Sequence, residues 1–260
     1  MGSKNRKGTT MSKFIIQCEN INGNLVPMFD FGFEMIQAIK YQNWFRKETI
    51  HEFILVEADN GTYKDYIPIG SVEFVSKHMK RYYNVSDIKP LNIPVELYPF
   101  AKRMVSRVER SDVWKLLFKY NSLFIKEDDK IKGFADFCNC NTNLPECNYI
   151  VSELIDIKSE WRCFVRNGEL LDIKCYSGEF DVLPNINEVN EMIKAYKSAP
   201  PSYTIDVAIT KDAKTVIIEC HNFFSCGLYG FNDYRYMPDM FVKAYHWQVS
   251  QSSQNGPESI

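Results

Sequence analysis

Between Val216 and Phe231 the chain reads VIIECHNFFSCGLYGF: three apolar residues, an acid, then polar residues and glycines in one short turn. Val216, Ile217 and Ile218 in succession form a strand only where both of its faces are buried. Such a strand delivers Glu219, His221 and Asn222 together at its carboxyl end, the place where α/β proteins gather their chemistry. A carboxylate followed by imidazole and amide groups suits a hard cation such as Mg2+, which takes oxygen ligands and is usually shared with substrate phosphates. Without a ligand, the same residues describe a strand end closed by a capped turn.

With 260 residues, 45% of them hydrophobic, the chain can bury a substantial core as one large domain or two intimate lobes. Its 31 basic and 33 acidic residues leave a net charge of -2, which provides no global basic field for nucleic acid. Eight cysteines are scattered along the chain. Several of them (Cys18, Cys163, Cys175, Cys220) fall within apolar runs, as reduced core residues of a cytoplasmic protein do. Cys138, Cys140 and Cys147 lie closer together, yet they lack the paired spacing and nearby histidine of a zinc site. No apolar run reaches the ~18 residues needed to span a bilayer, so no membrane partner is expected. The polar opening MGSKNRKGTT has no signal-peptide core, and a flexible leader is expected over residues 1–12. A flexible tail is expected over residues 249–260.

Hydrophobic periodicity predicts a first strand at Lys13 to Cys18 and a helix from Phe31 to Trp44 facing inward through Phe33, Ile36, Ile39 and Trp44. A second strand follows at Glu52 to Glu57 and a third at Ser71 to Val75, completing a small α/β lobe over residues 13–89. Pro90, Pro94 and Pro99 then break regular structure and mark the lobe boundary. Over residues 90–248 a helix is expected at Asp112 to Tyr120, with strands at Ser122 to Lys126 and Tyr149 to Ile155. Two alternating segments flank Asn167-Gly168, a tight-hairpin dipeptide. A helix at Asn187 to Lys197 is stopped by Pro200 and Pro201, and the last two strands are Tyr203 to Ile209 and Thr215 to Glu219.

Several charges interrupt these apolar strands. Lys126 ends one strand, and Lys132 follows a short charged turn. Arg162 and Lys174 stand on opposite arms of the Asn167 hairpin, and Asp206 lies between Ile205 and Val207. If the last two strands pair across Lys211 to Lys214, Asp206 and Glu219 are equidistant from the midpoint between Asp212 and Ala213. They then face each other without a bulge. Two facing carboxylates repel, a cost that a bound divalent cation removes. The alternative is a buried salt bridge of Asp206 or Glu219 with Lys174 or Arg162. Lysines, an arginine and two acids on one sheet together describe a clamp for a nucleoside triphosphate and its metal.

These residues carry a resemblance. FIK at Phe124 to Lys126, IKGF at Ile131 to Phe134, SELID at Ser152 to Asp156, SEWRCFV at Ser159 to Val165, IDVAI at Ile205 to Ile209 and the IIECHNFFSCGLYGF segment occur in that order. The chain resembles the ATP-grasp superfamily, specifically its clade named for one arginine and two lysines, across roughly residues 90 to 235. PIGSVEFV at Pro68 to Val75 is similar to the clade's amino-terminal lobe. The resemblance implies an α+β fold of ATP-grasp type with a small amino-terminal α/β lobe.

It also implies an ATP-dependent ligase that phosphorylates a carboxylate, on a small molecule or a peptide, for attack by an amine or similar nucleophile. By that resemblance Lys126 and Lys132 contact ATP phosphates, and Glu153 or Glu160 holds the ribose. Arg162 and Lys174 steady the transferred phosphoryl, while Asp206, Glu219, His221 and Asn222 bind Mg2+. His221 stands where the family's motif places Asn, a substitution that favours Mn2+ or Zn2+ over Mg2+. Two other readings stay open. One is an ATP-binding assembly factor of the cell-division-cycle translation-initiation type, acting on a protein partner. The other is an ATP-dependent nucleic-acid end-joining enzyme, which would use the basic, aromatic segment Lys77 to Tyr83.

Overall fold

The computed structural model describes residues 11–85, 88–224 and 226–254, with side chains through residue 251. Of the leader expected over residues 1–12 and the tail expected over residues 249–260, residues 1–10 and 255–260 lie outside the described residues. By compactness the chain divides into two units, one comprising residues 1–86, 224–228 and 232–260, the other residues 87–223 and 229–231.

The first unit is built on strand β1 (Ser12–Ile21), whose Phe14, Ile15 and Ile16 are all fully buried. An aliphatic run buried on both faces requires neighbours on both sides. It gains β2 (Asn24–Pro27) as an antiparallel partner, and β3 (His51–Val56) and β4 (Ile67–Ile69) as parallel ones. Between β2 and β3 runs helix α1 (Asp30–Arg46), closed by Lys47 in the left-handed region. Its buried face is Phe31, Met35, Ile36 and Ile39, whereas Phe33 and Trp44, expected to face inward, are 53% and 65% exposed.

Residues 71–75, expected as a third strand, instead open helix α2 (Val72–Tyr83). Ser71 caps it by accepting from the Phe74 amide at 3.1 Å, and Phe74, Val75, His78 and Met79 are buried at helical spacing. Within Lys77 to Tyr83, Arg81 and Tyr82 bind Asp59, and Tyr83 donates to the Lys64 carbonyl. The segment proposed for nucleic acid thus spends several of its polar groups inside this unit. The carboxyl-terminal helix, Met237–Gln254, continues through the first half of the segment expected as a tail. Among the described residues, no helix is long and apolar enough to cross a membrane.

The second unit contains two antiparallel sheets. Helix α3 (Tyr98–Ala101) leads into β5 (Val105–Glu109), helix α4 (Arg110–Tyr120), β6 (Ser122–Glu127), β7 (Ala135–Asn139) and β8 (Asn148–Ser152). The strands pair in the order β5-β8-β6-β7, and α4 buries Val113 and Leu117 against Leu123, Ile125, Tyr149 and Val151. After an irregular crossing at residues 153–156 comes the second sheet. It consists of β9 (Ile157–Arg166), β10 (Glu169–Gly178), β11 (Ser202–Thr210) and β12 (Thr215–Asn222), in the order β10-β9-β11-β12. Helix α5 (Ile186–Ala195) covers one face through Val189, Met192 and Ile193, which meet Cys163, Ile205 and Val207. The β9-β10 turn has Asn167 at φ 50° and Gly168 at φ 77°, the two positive angles that a tight two-residue hairpin demands.

Candidate active site

The face of the second sheet opposite α5 carries the charged residues. Arg162 on β9 is in register with Lys174 on β10 and with Asp206 on β11, and Asp206 is in register with Glu219 on β12. Register partners share a face, so the sheet displays a row of two cations and two carboxylates.

The expected pairing of Asp206 with Glu219 is present, but not for the expected reason. Val207 pairs with Ile217, so the hairpin is centred on Asp212, and a bulge at Ile218 restores the match one residue later. Nor do the two carboxylates face each other as a bare repelling pair. Arg162 donates from Nε to Asp206 Oδ1 at 2.9 Å and from Nη2 to Oδ2 at 2.8 Å, with both residues nearly sealed from solvent. His221 Nε2 lies 3.1 Å from Asp206 Oδ2 and 3.7 Å from Glu219 Oε2. Glu219 forms an ion pair with Lys126, which reaches across from β6 of the other sheet.

The electrostatics follow from these contacts. Burial pushes the Asp206 carboxyl up, but hydrogen bonds and charge from Arg162 and His221 outweigh it and leave the group below the ordinary carboxylate range. Glu160 on the same face has no such cation; burial and the Asp206 charge hold its carboxyl above the ordinary value. The Arg162 guanidinium lies under two stacked rings, 5.0 Å from the Tyr229 centroid and 5.8 Å from that of Tyr176.

Between the two sheets of this unit is a cleft of about 220 Å3. Phe124, Ile150, Leu154, Ile155 and Ile218 contribute apolar walls, and the irregular backbone of residues 153–156 forms one end. Of the residues singled out from the sequence, Lys126, Glu153, Glu160 and Glu219 line this cleft. Glu153 is partly committed, since its Oε2 accepts from the Met104 amide at 2.7 Å.

The other candidates are placed differently. Arg162, Asp206 and His221 form the bonded row beside the cleft, and Lys174 pairs with Asp172 at 2.9 Å. Lys132 lies in an exposed turn at φ 57°, outside the lining. Asn222 is a correction: an odd number of positions from Glu219, it turns to the opposite side, and its Nδ2 donates to the Lys89 carbonyl at 3.0 Å. It does not join the acids. Sequence reasoning missed Asn92 and Arg103, which also line the cleft; neither lies in a motif, and only folding brings them there.

Among the described residues, no three His, Cys, Asp or Glu side chains form a ready metal cage. What the row offers is two adjacent carboxylates, with Glu219 on the cleft wall. That donor set fits a Mg2+ shared with substrate phosphates rather than a closed protein site.

The model of an ATP-grasp domain family, family 2 of the clade named for one arginine and two lysines, matches residues 100–238. No curated protein matches the chain. Among solved structures, D-alanine–D-alanine ligase from Bacillus anthracis complexed with ATP superposes with a TM-score of 0.53 at 12% identity, covering 94% of this chain and 100% of that one. N5-carboxyaminoimidazole ribonucleotide synthetase from Thermotoga maritima gives a TM-score of 0.52 at 13% identity, with 90% and 76% covered. The synthetase from Staphylococcus aureus complexed with ADP gives 0.51 at 12% identity, with 85% and 71% covered. At these identities the likeness is one of fold.

Proposed function

The chain belongs to family 2 of that arginine-and-two-lysine clade of ATP-grasp domains, an ATP-dependent ligase fold that works with Mg2+, and on that premise we propose that its cleft binds Mg-ATP to activate a carboxylate for ligation to an amine or similar nucleophile. The observation that carries this reading is the Lys126–Glu219 pair. It joins two lining residues of one cleft, a cation suited to phosphate and an acid suited to a metal, and so supports the reading.

The apolar walls accept the base, and the irregular backbone at residues 153–156 offers it peptide groups outside regular strand pairing. Glu160, with a raised carboxyl and less committed than Glu153, is the better ribose partner. Lys126 turns from Glu219 to the phosphates as they enter. Glu219, with Asp206 and His221 beside it, would hold the Mg2+, which neutralises phosphate charge during transfer. Arg162 is a positioning residue in this scheme. Its bidentate bond fixes the Asp206 carboxylate, and it is clasped by two tyrosines rather than presented along the cleft. Lys174, at the end of the row, is the cation left to steady the transferred group. Acceleration comes from positioning and from charges fixed in advance, since phosphoryl transfer asks little covalent work of the protein.

Calorimetry and thermal melts with ATP, with and without Mg2+, test the reading. Saturation a hundredfold above Kd should stabilise the fold by about 2.7 kcal/mol. Lys126→Ala should abolish that gain while the melt of the ligand-free protein changes little. No binding at millimolar Mg-ATP overturns the proposal. ADP release that depends on an added carboxylate then separates a ligase from a protein that only binds nucleotide.

A further inference from the structure

Tyr229 stands at φ 48°, in the left-handed region that an aromatic residue rarely occupies, and it is 48% exposed. A backbone held at such an angle costs free energy and persists only where the surrounding structure dictates it. Burial does not offset that cost, since the residue stays open to solvent. Nor does a hydrogen bond: among the described residues its hydroxyl has no partner. What the ring does contact is Arg162, whose guanidinium lies 5.0 Å from its centroid, and Tyr176, stacked on it at 5.0 Å with 21° between the planes. Tyr176 arrives by an irregularity of its own. β10 pairs Cys175 with Trp161 and Ser177 with Glu160, so Tyr176 is the extra residue of a bulge, the device by which a strand re-aims one side chain. Its ring lies 5.8 Å from the same guanidinium. The turn that bears Tyr229 is anchored two residues on. Phe231, fully buried, stacks on Phe164 at 4.2 Å with 9° between the rings and meets Phe223 edge-on. Phe164 follows Arg162 by two positions on β9 and so shares its face, and docking Phe231 there brings Tyr229 back over Arg162.

Two irregular backbone segments thus converge on one arginine, and that arginine does not itself line the cleft. Such an arrangement serves alignment rather than contact with substrate. We propose that Tyr229, together with Tyr176, is a positioning residue: the two rings close over the Arg162 guanidinium and hold its two-point bond to Asp206, which keeps that carboxylate beside Glu219 for the metal of Mg-ATP. A guanidinium over an aromatic face is attracted by the ring quadrupole, so the effect belongs to the ring and not to the hydroxyl. This inference rests on the nucleotide reading of the cleft and deepens it.

The test is calorimetric titration of the full chain with Mg-ATP, paired with thermal melts in the absence of nucleotide. Tyr, Phe and Leu bear the same backbone strain at this position, so comparing them reads the ring alone. Tyr229→Phe should bind Mg-ATP within about twofold of the wild type, whereas Tyr229→Leu should bind about fivefold more weakly, the value of one cation–π contact. Tyr229→Met takes the place of the Leu variant should that one not fold. Tyr229→Asn should lose the same affinity yet hold or raise the melting temperature, because Asn tolerates the left-handed angle and the strain relieved exceeds the contact forfeited. A merely structural tyrosine gives the reverse, a lower melting temperature with unchanged affinity. A Tyr229→Asn protein that melts lower or fails to fold, or a Leu variant that binds as tightly as the Phe one, overturns the positioning role and leaves the nucleotide site standing. Absence of Mg-ATP binding by the wild type overturns both.

Discussion

Replacing Asp206 by Asn distinguishes a carboxylate held in readiness for metal from one held by its own arginine. Asp206 accepts two bonds from Arg162, at 2.9 and 2.8 Å, and a third from His221 at 3.1 Å. Arg162 and Asp206 are 6% and 4% exposed, so solvent cannot replace the lost charge. Removing one partner of such a pair strands the other and costs about 3 to 5 kcal/mol. Asn keeps one oxygen to accept from Arg162, which places the expected loss at about 3 kcal/mol, the low end of that range. For a chain of this size that lowers Tm by roughly 6 to 12 °C, readable by circular dichroism without ligand.

A double change, Asp206→Leu with Arg162→Met, should recover most of the loss, since apolar pairs often substitute for buried ion pairs without penalty. The pH dependence gives an independent check. Asp206 is depressed in the folded state, so its stabilising contribution is present above the unfolded carboxyl pKa of about 3.9 and disappears as pH falls through the folded value. Asp206→Asn should lack that portion of the acid loss. A ligand-free variant as stable as the wild type, or more so, would refute the reasoning and restore the picture of two carboxylates repelling until metal arrives.

Two further outcomes are expected. Gly178→Ala should cost on the order of 1–3 kcal/mol in a denaturant melt, because Gly178 has φ 79° and an added Cβ would lie 2.0 Å from the Lys158 carbonyl oxygen; an unchanged midpoint would show that this strand end relaxes freely. His78 is sealed in the first unit, where burial lowers its pKa despite the hydrogen bond and charge of Asp59. The unfolded chain therefore takes up a proton at about pH 6.5 that the folded one resists, and stability should fall as pH drops from there through the folded value. In His78→Gln the difference between denaturation at pH 7.5 and 5.5 should shrink, and an equal pH slope in both proteins would argue against a neutral buried His78.

Local chemistry made much of this protein legible from sequence. The apolar runs of β1 and β12 read as buried strands, Asn167-Gly168 as a tight turn, and α4 and α5 as helices. These signals fit within about ten residues and do not depend on distant partners. Helix α2 escaped because its apolar Val72, Phe74 and Val75 also suit a strand, and the Ser71 cap that decides for helix shows only in the structure. The site divides in the same way. Sequence named Lys126, Arg162, Asp206 and Glu219 as a set, since charges that interrupt apolar strands stand out.

It could not say which cation holds which acid, because those partners are 44 and 93 residues apart and become neighbours only through strand order. Nor could it foresee the bulge at Ile218, which moves Asp206 and Glu219 into register. Asn222 carries the same lesson. A composition of acid, imidazole and amide suggested a shared metal, but the pleat of β12 turns alternate residues to opposite faces and sends that amide to the Lys89 carbonyl. The order of residues determines which chemical groups are at hand, whereas pleat, register and burial decide which of them meet.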